Sequence, residues 1–96
     1  MELDRYSKIT SDFHKKNIMV IGDLMLDKYF WGYTDRISPE APVPIVDVDK
    51  IEYRPGGAAN VALNLSSLGC EVIVVGFVGS DEDGSNLIND LKKHNI

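Results

Sequence analysis

The sequence predicts an α/β fold built around a parallel sheet. Two apolar runs, at residues 18–21 and 72–78, have the composition of strands that are buried on both faces, and Gly76 interrupts the second run. A segment with helical periodicity separates the two runs, and another helical segment follows the second run. Strands that alternate with helices indicate a parallel sheet.

Composition excludes several classes of protein. The chain has 96 residues, of which 44% are hydrophobic and 26% charged, as in one small globular domain. Ten Lys and Arg against fifteen Asp and Glu give a net charge of -5, which argues against a nucleic-acid partner. The single cysteine, Cys70, predicts no internal disulfide and a reducing compartment. The apolar runs are shorter than the ~20 residues that span a bilayer, and the N-terminus lacks a signal-peptide core, so we expect a soluble cytoplasmic protein.

The first sixteen residues predict a helical arm. Apolar side chains recur at intervals of three and four residues among charged ones, at Leu3, Tyr6, Ile9 and Phe13. This spacing favours a modest amphipathic helix that lies on the domain.

Residues 28–52 predict a flap that protrudes from the main sheet. An aromatic run at 29–33 and an alternating run at 45–49 favour strands with one exposed face. The connection between them contains three prolines, which confines it to an edge or a turn. We therefore expect two antiparallel, half-exposed strands.

Two helices follow the flap. The first begins after Gly56-Gly57, has Val61, Leu65 and Leu68 on one face and ends at Gly69. A turn over residues 79–84 precedes the second helix, at 85–94, in which Leu87, Ile88 and Leu91 share a face.

Gly56, Gly57 and Asn60 form the first candidate binding site. Glycines at a helix start let the backbone approach a ligand, and the unpaired N–H groups there attract anions or polar oxygens. The Asn60 amide can donate to and accept from hydroxyls. This pattern suits a polyol or a phosphate, although a tight turn with close helix packing explains it equally well.

Asp23 and Asp27 are the second candidate site, because they follow the first strand directly. Ligands of open α/β sheets bind beyond the carboxyl ends of the strands. A carboxylate at this position can accept hydrogen bonds from two sugar hydroxyls. We expect one of the two to bind ligand and the other to have a structural role.

The common nucleotide and metal motifs do not occur in the sequence. It contains neither G-x-x-x-x-G-K-[ST] nor G-x-G-x-x-G, and the acidic turn at 81–84 lacks the ligand positions of a calcium loop. The cysteine and the histidines do not have zinc spacing. We therefore predict no metal site in this chain.

The motifs together resemble the N-terminal part of the ribokinase-like (PfkB) carbohydrate kinases. The resemblance spans residues 17–96 and rests on the G-D-L-M-L-D run at 22–27, the R-P-G-G-A-A-N run at 54–60 and the turn at 79–84. The S-P-E-A-P-V-P run at 38–44 is similar to the branch that phosphorylates D-glycero-D-manno-heptose 7-phosphate.

This resemblance implies a three-layer αβα fold and assigns roles by position. Asp27 would accept sugar hydroxyls, Gly56 and Gly57 would let the sugar approach, and Asn60 would contact it. The flap would be the family's β lid, which closes over the sugar and pairs with a second subunit's lid in a homodimer. Arg54 would meet the 7-phosphate, whereas Arg36 more simply lies in solvent.

The resemblance also implies what lies outside the chain. The family's catalytic aspartate belongs to a Gly-Ala-Gly-Asp motif, which these 96 residues do not contain, so we assign no catalytic residue. ATP and Mg²⁺ would serve the parent enzyme through residues mostly outside this chain. We expect a fragment with an arm at 1–16 and part of a kinase domain at 17–96, the flap included, which is inactive by itself and leaves apolar faces uncovered.

We interpret the parent as an ATP-dependent kinase that phosphorylates the anomeric hydroxyl of the heptose phosphate for lipopolysaccharide synthesis. Two alternatives stay open. The chain is a non-catalytic module that binds a sugar phosphate or dimerises through its lid, or it belongs to another PfkB sugar kinase.

Overall fold

The computed structural model describes residues 2–96, and Met1, the first residue of the predicted arm, lies outside them. Within these residues, the chain forms three α-helices, one short 3₁₀ helix at Phe13–Lys15 and four strands. The helices are α1 (Glu2–Ser11), α2 (Ala58–Ser67) and α3 (Glu82–Lys93), and the strands are β1 (Asn17–Ile21), β2 (Leu24–Ile37), β3 (Pro44–Gly57) and β4 (Glu71–Val75).

The parallel sheet consists of β1 and β4, paired from Asn17 with Glu71 to Ile21 with Val75. One face of this sheet packs against α2, whose Ala59 and Ala62 are completely buried. Small side chains let the helix approach the sheet closely, which excludes water from the contact. A helix packed on a parallel strand pair confirms the predicted α/β class.

The opposite face of the parallel sheet is apolar and exposed. Because side chains alternate along a strand, this face carries Met19, Ile21, Ile73 and Val75, which are between 45% and 73% exposed. Parallel sheets are normally covered on both faces. The exposure therefore agrees with the expectation that this chain leaves an apolar face uncovered.

β4 is shorter than predicted: it ends at Val75, three residues before the predicted end at Val78. A Cβ atom on Gly76 would lie 2.6 Å from the Gly22 carbonyl oxygen and 2.9 Å from Cγ of Leu24. The backbone of Gly76 thus passes close to the end of β1, with no room for a side chain. Phe77, which the strand prediction included, is 96% exposed.

A long antiparallel hairpin leaves the parallel sheet. β2 and β3 pair from Leu24 with Gly57 to Ile37 with Pro44, and the register shifts near Gly32 and again before Arg36. The outer part of this hairpin is the flap. The strands of the hairpin begin before and end after the flap predicted at 28–52, because their pairing continues down to Gly56 and Gly57.

α3 begins at Glu82, three residues earlier than predicted. The Asp81 carboxylate accepts a hydrogen bond of 2.8 Å from the Gly84 amide and so caps the helix start. Glu82 and Asp83 lie in the first turn, where the helix dipole favours negative charge. Part of the predicted turn therefore becomes the first turn of the helix.

The core lies between α2, α3 and the base of the hairpin. Leu87 and Leu91 of α3 are buried against Ala59, which confirms the predicted face, whereas Ile88 stays 37% exposed. Val61 and Leu68, grouped on one face of α2 by sequence, are 48% and 57% exposed. The half-buried side chains around the core are those of Leu24, Leu26, Leu63 and Ile96.

The arm differs from the prediction in its packing. α1 is a helix, but it buries none of its residues, and Leu3 and Tyr6 are 79% and 61% exposed. Acidic residues in its first turn and Lys8 in its last complement the helix dipole, which favours the helix without burial of its apolar side chains. Within residues 2–96, none of the helices combines the length and the apolarity needed to cross a membrane.

We expect Leu87→Ala to lower the free energy of unfolding by about 2–4 kcal/mol, because it leaves a cavity in a small core. Ile88→Ala is the matched control on the next position of the same helix, and its loss should stay below about 1 kcal/mol. Urea unfolding followed by circular dichroism measures both values. Equal losses would place the core on a different face of α3.

Candidate functional site

The candidate site begins where β2 and β3 meet the start of α2. The Ala58 amide donates a hydrogen bond of 2.8 Å to the Asp23 carbonyl oxygen, so the backbone of Asp23 anchors the helix start. Gly57 has a φ of 57°, and a Cβ atom there would overlap the Asp23 carbonyl oxygen and approach Cγ of Met25 to 3.1 Å. Glycine is therefore required at 57 by both backbone conformation and space.

Asp27 lies directly over Gly56. A Cβ atom on Gly56 would overlap the Asp27 carboxylate, with Cγ of Asp27 at 2.6 Å. Gly56 is buried and Asp27 is exposed. The space that the missing side chain leaves at 56 is thus occupied by the carboxylate, which keeps its outer side open to solvent and to a ligand.

The sequence-predicted residues come together at one end of the parallel sheet. Asp23 lies two residues beyond the end of β1, and Asn60 is exposed in the first turn of α2, which begins just after Gly57. The side chain of Asp23 is also exposed. This location corresponds to the carboxyl end of a strand, where α/β proteins bind their ligands.

Arg54 lies opposite Asp27 in the hairpin register but pairs with Glu52. Its Nε and one terminal nitrogen donate to Oε2 of Glu52 at 3.0 Å and 2.5 Å. The guanidinium carbon lies 4.6 Å from the centre of the Tyr29 ring, as in a cation–π contact. Nζ of Lys50 lies 2.7 Å from Oε1 of Glu52.

The Glu52 carboxyl and the Arg54 guanidinium shift each other's pKa values. Hydrogen bonds from Lys50 and then from Arg54 lower the pKa of the Glu52 carboxyl below its ordinary value of 4.5. The hydrogen bond to Glu52 raises the pKa of Arg54. The Glu52 carboxylate and the Arg54 guanidinium therefore both stay charged at neutral pH.

Arg36 lies apart from the candidate site, near the outer end of the flap. It forms an exposed salt bridge of 3.4 Å with Asp47. Nine positions of β2 separate it from Asp27, so the two side chains do not share a site. Its surroundings agree with the simpler expectation of an arginine in solvent.

Sequence reasoning missed Glu52 and Tyr29, which fix the position of Arg54. Residues two apart on a strand share a face, so the E-Y-R run at 52–54 carried a signal for the Glu52–Arg54 pair. The contact with Tyr29 depends on the register of the hairpin. No local pattern specifies that register.

A cleft of about 580 Å³ lies between α3 and the other face of the hairpin. Leu26 and Tyr53 line it, and strand alternation places both on the face opposite Asp27 and Arg54. The remaining lining side chains come from α3, at Asn86, Asn89, Asp90 and Lys93. This cleft is therefore separate from the candidate site.

Metal binding has no support in the described part of the chain. Across residues 2–96, His, Cys, Asp and Glu side chains do not gather in groups of three or more that could coordinate an ion.

The exposed Asp27 carboxylate beside the start of α2 thus lies at the end of the parallel strand pair, where open α/β sheets bind their ligands. The family model for the pfkB family of carbohydrate kinases matches residues 15–96. The chain belongs to the pfkB family of carbohydrate kinases, as its motifs predicted.

Curated relatives extend the comparison. A bifunctional protein HldE from Proteus mirabilis is 58% identical over 85 residues, which cover 88% of this chain and 18% of that protein. The HldE proteins of Magnetococcus marinus and Coxiella burnetii are 52% and 54% identical, over 92% and 88% of this chain and 18% of each relative. The chain thus spans less than a fifth of the length of these relatives.

The Glu52 cluster predicts a pH-dependent contribution to stability. Because the folded pKa of Glu52 is below 4.5, its pairing stabilises the fold fully above that value and is lost as the pH falls through the lowered pKa. Urea unfolding of wild type and Glu52→Gln should therefore differ more at pH 7 than at pH 3. Glu40→Gln in the exposed flap connection is the control, and an equal pH effect there would contradict the prediction.

Proposed function

We propose that this chain forms the sugar-binding part of a kinase that transfers the γ-phosphoryl group of ATP to the anomeric hydroxyl of D-glycero-D-manno-heptose 7-phosphate, for lipopolysaccharide heptose synthesis. The observation that carries the proposal is the exposed Asp27 carboxylate over Gly56, beside the start of α2. Identity of 52–58% to proteins named HldE supports this branch of the family.

The candidate residues suit a phosphorylated sugar chemically. A carboxylate such as that of Asp27 accepts strong hydrogen bonds from two hydroxyls. The amide of Asn60 adds a donor and an acceptor one turn into α2, and Asp23 adds a second exposed carboxylate. Arg54 is the cation of the site and matches the phosphate of the substrate.

Phosphoryl transfer needs more than these residues provide. The described residues offer no cluster that fits Mg²⁺, and the Gly-Ala-Gly-Asp motif does not occur in the sequence. We propose that other parts of the longer enzyme bind ATP and Mg²⁺ and supply the catalytic base. We also propose that this enzyme works in the cytoplasm.

The flap would cover the bound sugar and exclude water, which competes with the sugar hydroxyl for the phosphoryl group. It exposes Phe30, Trp31 and Tyr33, which are 55%, 51% and 71% accessible. A two-stranded hairpin is barely stable alone in water, so a second flap packed on it would stabilise both. We therefore propose a homodimer through the flap.

Asp27→Asn should weaken heptose 7-phosphate binding to the 96-residue chain by about tenfold or more, because hydrogen bonds to a charged acceptor are lost. Gly56→Ala should cause a similar loss, since a methyl group there displaces the Asp27 carboxylate. Isothermal titration calorimetry measures the affinities. Asp49→Asn, an equal charge change on the flap, is the matched control and should bind as wild type does.

The same titration separates the alternatives. Equal affinity of wild type and Asp27→Asn would remove Asp27 from the sugar site. Tighter binding of another sugar than of the heptose phosphate would favour a different kinase of the family. A wild-type chain that binds no sugar while it dimerises would favour the dimerisation module.

Val46→Glu should raise the dimer dissociation constant by about tenfold or more, because it places an unpaired charge in an apolar contact. Val46 is 44% exposed on the flap of this chain. Leu3→Glu on the exposed arm is the matched control. Sedimentation equilibrium should find weaker association only for the flap variant, and weaker association for the arm variant instead would assign the contact to α1.

A further inference from the structure

Two carboxylates compete for Arg54 on one face of the hairpin. Asp27 is its direct partner in the register, and side chains in such opposite positions have Cβ atoms about 5 Å apart. Glu52 lies two residues away on the same strand and takes two hydrogen bonds from the guanidinium. The arginine is thus paired along β3 and not across to β2.

Tyr29 and Lys50 reinforce this choice. The Tyr29 ring supports the guanidinium at 4.6 Å from the side of the flap, two positions beyond Asp27. Lys50, two residues before Glu52 on β3, contacts the other carboxylate oxygen of Glu52 and so helps to orient that carboxylate. Both contacts draw Arg54 toward the flap and away from Asp27.

The pairing leaves Arg54 able to bind an anion. An arginine has five N–H donors, and two of its nitrogens donate to Oε2 of Glu52. The other terminal nitrogen is free of that pair, and the Arg54 side chain is 53% exposed. With Lys50 and Glu52 the cluster carries one net positive charge.

We propose that Glu52 is a positioning residue that holds Arg54 away from Asp27, so that one sheet face offers a carboxylate for sugar hydroxyls and a separate cation for an anionic substituent of the same sugar. The proposal rests on the sugar site at Asp27. It assigns to that site a preference for sugars that carry a phosphate.

The physical reason is that a free arginine would neutralise its nearest carboxylate. Without Glu52, the Arg54 guanidinium can reach across to Asp27, its opposite in the register, and form a cross-strand ion pair. Asp27 would then lose its capacity to accept sugar hydroxyls, and Arg54 would lose its capacity to bind the anion. One substitution outside the sugar contacts thus affects both ends of the ligand.

A double-mutant experiment tests this. Affinities of heptose and of heptose 7-phosphate are measured by calorimetry for wild type, Glu52→Gln, Arg54→Gln and the double variant. We expect Glu52→Gln to weaken binding of unphosphorylated heptose by about tenfold, because Asp27 becomes paired. The double variant should bind unphosphorylated heptose at least fivefold more tightly than Glu52→Gln, since the competing guanidinium is gone.

The two probes also separate the roles of the charges. Arg54→Gln should abolish the preference for the 7-phosphate, while Glu40→Gln, a control in the flap connection, should match wild type with both sugars. Rescue of heptose binding by a second substitution is not expected of a residue that only stabilises the fold. The proposal would be overturned if Glu52→Gln bound unphosphorylated heptose with the affinity of wild type. It would also be overturned if the double variant bound that sugar no more tightly than Glu52→Gln does.

Failure of the sugar site itself would look different. If wild type binds neither sugar, or if Asp27→Asn binds both as wild type does, the proposed function fails before the role of Glu52 is reached. Glu52→Asp keeps the charge and serves as the conservative variant. If both Glu52 variants lose the wild-type circular dichroism spectrum, Glu52 is a structural residue and the proposal is wrong.

Discussion

The hydrogen bond from the Ala58 amide to the Asp23 carbonyl oxygen holds together the chain segments that carry the candidate site. It ties the end of β3 and the start of α2 to the residue that precedes β2, and it is possible because Gly57 adopts a positive φ without a side chain in the way. This junction lies at the base of the long hairpin, where Leu24 pairs with Gly57. The register of the hairpin places Asp27 over Gly56 and opposite Arg54.

Two carboxylates of the hairpin compete for the Arg54 guanidinium. Asp27 and Glu52 are both within reach of Arg54, and the contacts with Tyr29 and Lys50 favour Glu52. Exposed ion pairs contribute little to stability because water and salt screen them. Their consequence here is geometric, since an exposed network still fixes where a guanidinium points and which carboxylate remains free to accept hydrogen bonds.

Within residues 2–96, the arm, the outer sheet face and the flap all expose large apolar side chains. Each has a different physical basis. The arm is a helix that its own charges support, the sheet face lacks the second helical layer of a parallel sheet, and the flap extends beyond the core as two strands. Relatives of about five times this length share its sequence over most of its residues.

The sequence by itself determined the α/β class and the glycines at the start of α2, and it singled out Asp23, Asp27, Gly56, Gly57 and Asn60 as candidates, because periodicity, glycine positions and family motifs are local signals. The element boundaries were predicted less accurately. β4 ends at Val75, where the next residue, Gly76, passes close to Gly22 and Leu24. α3 starts earlier than predicted because Asp81 caps it. Only the tertiary structure decided that the Asp27 carboxylate fills the space at Gly56 and that Glu52, not Asp27, pairs with Arg54. Both depend on hairpin register, which joins residues more than twenty positions apart and is set by the whole ladder of backbone hydrogen bonds.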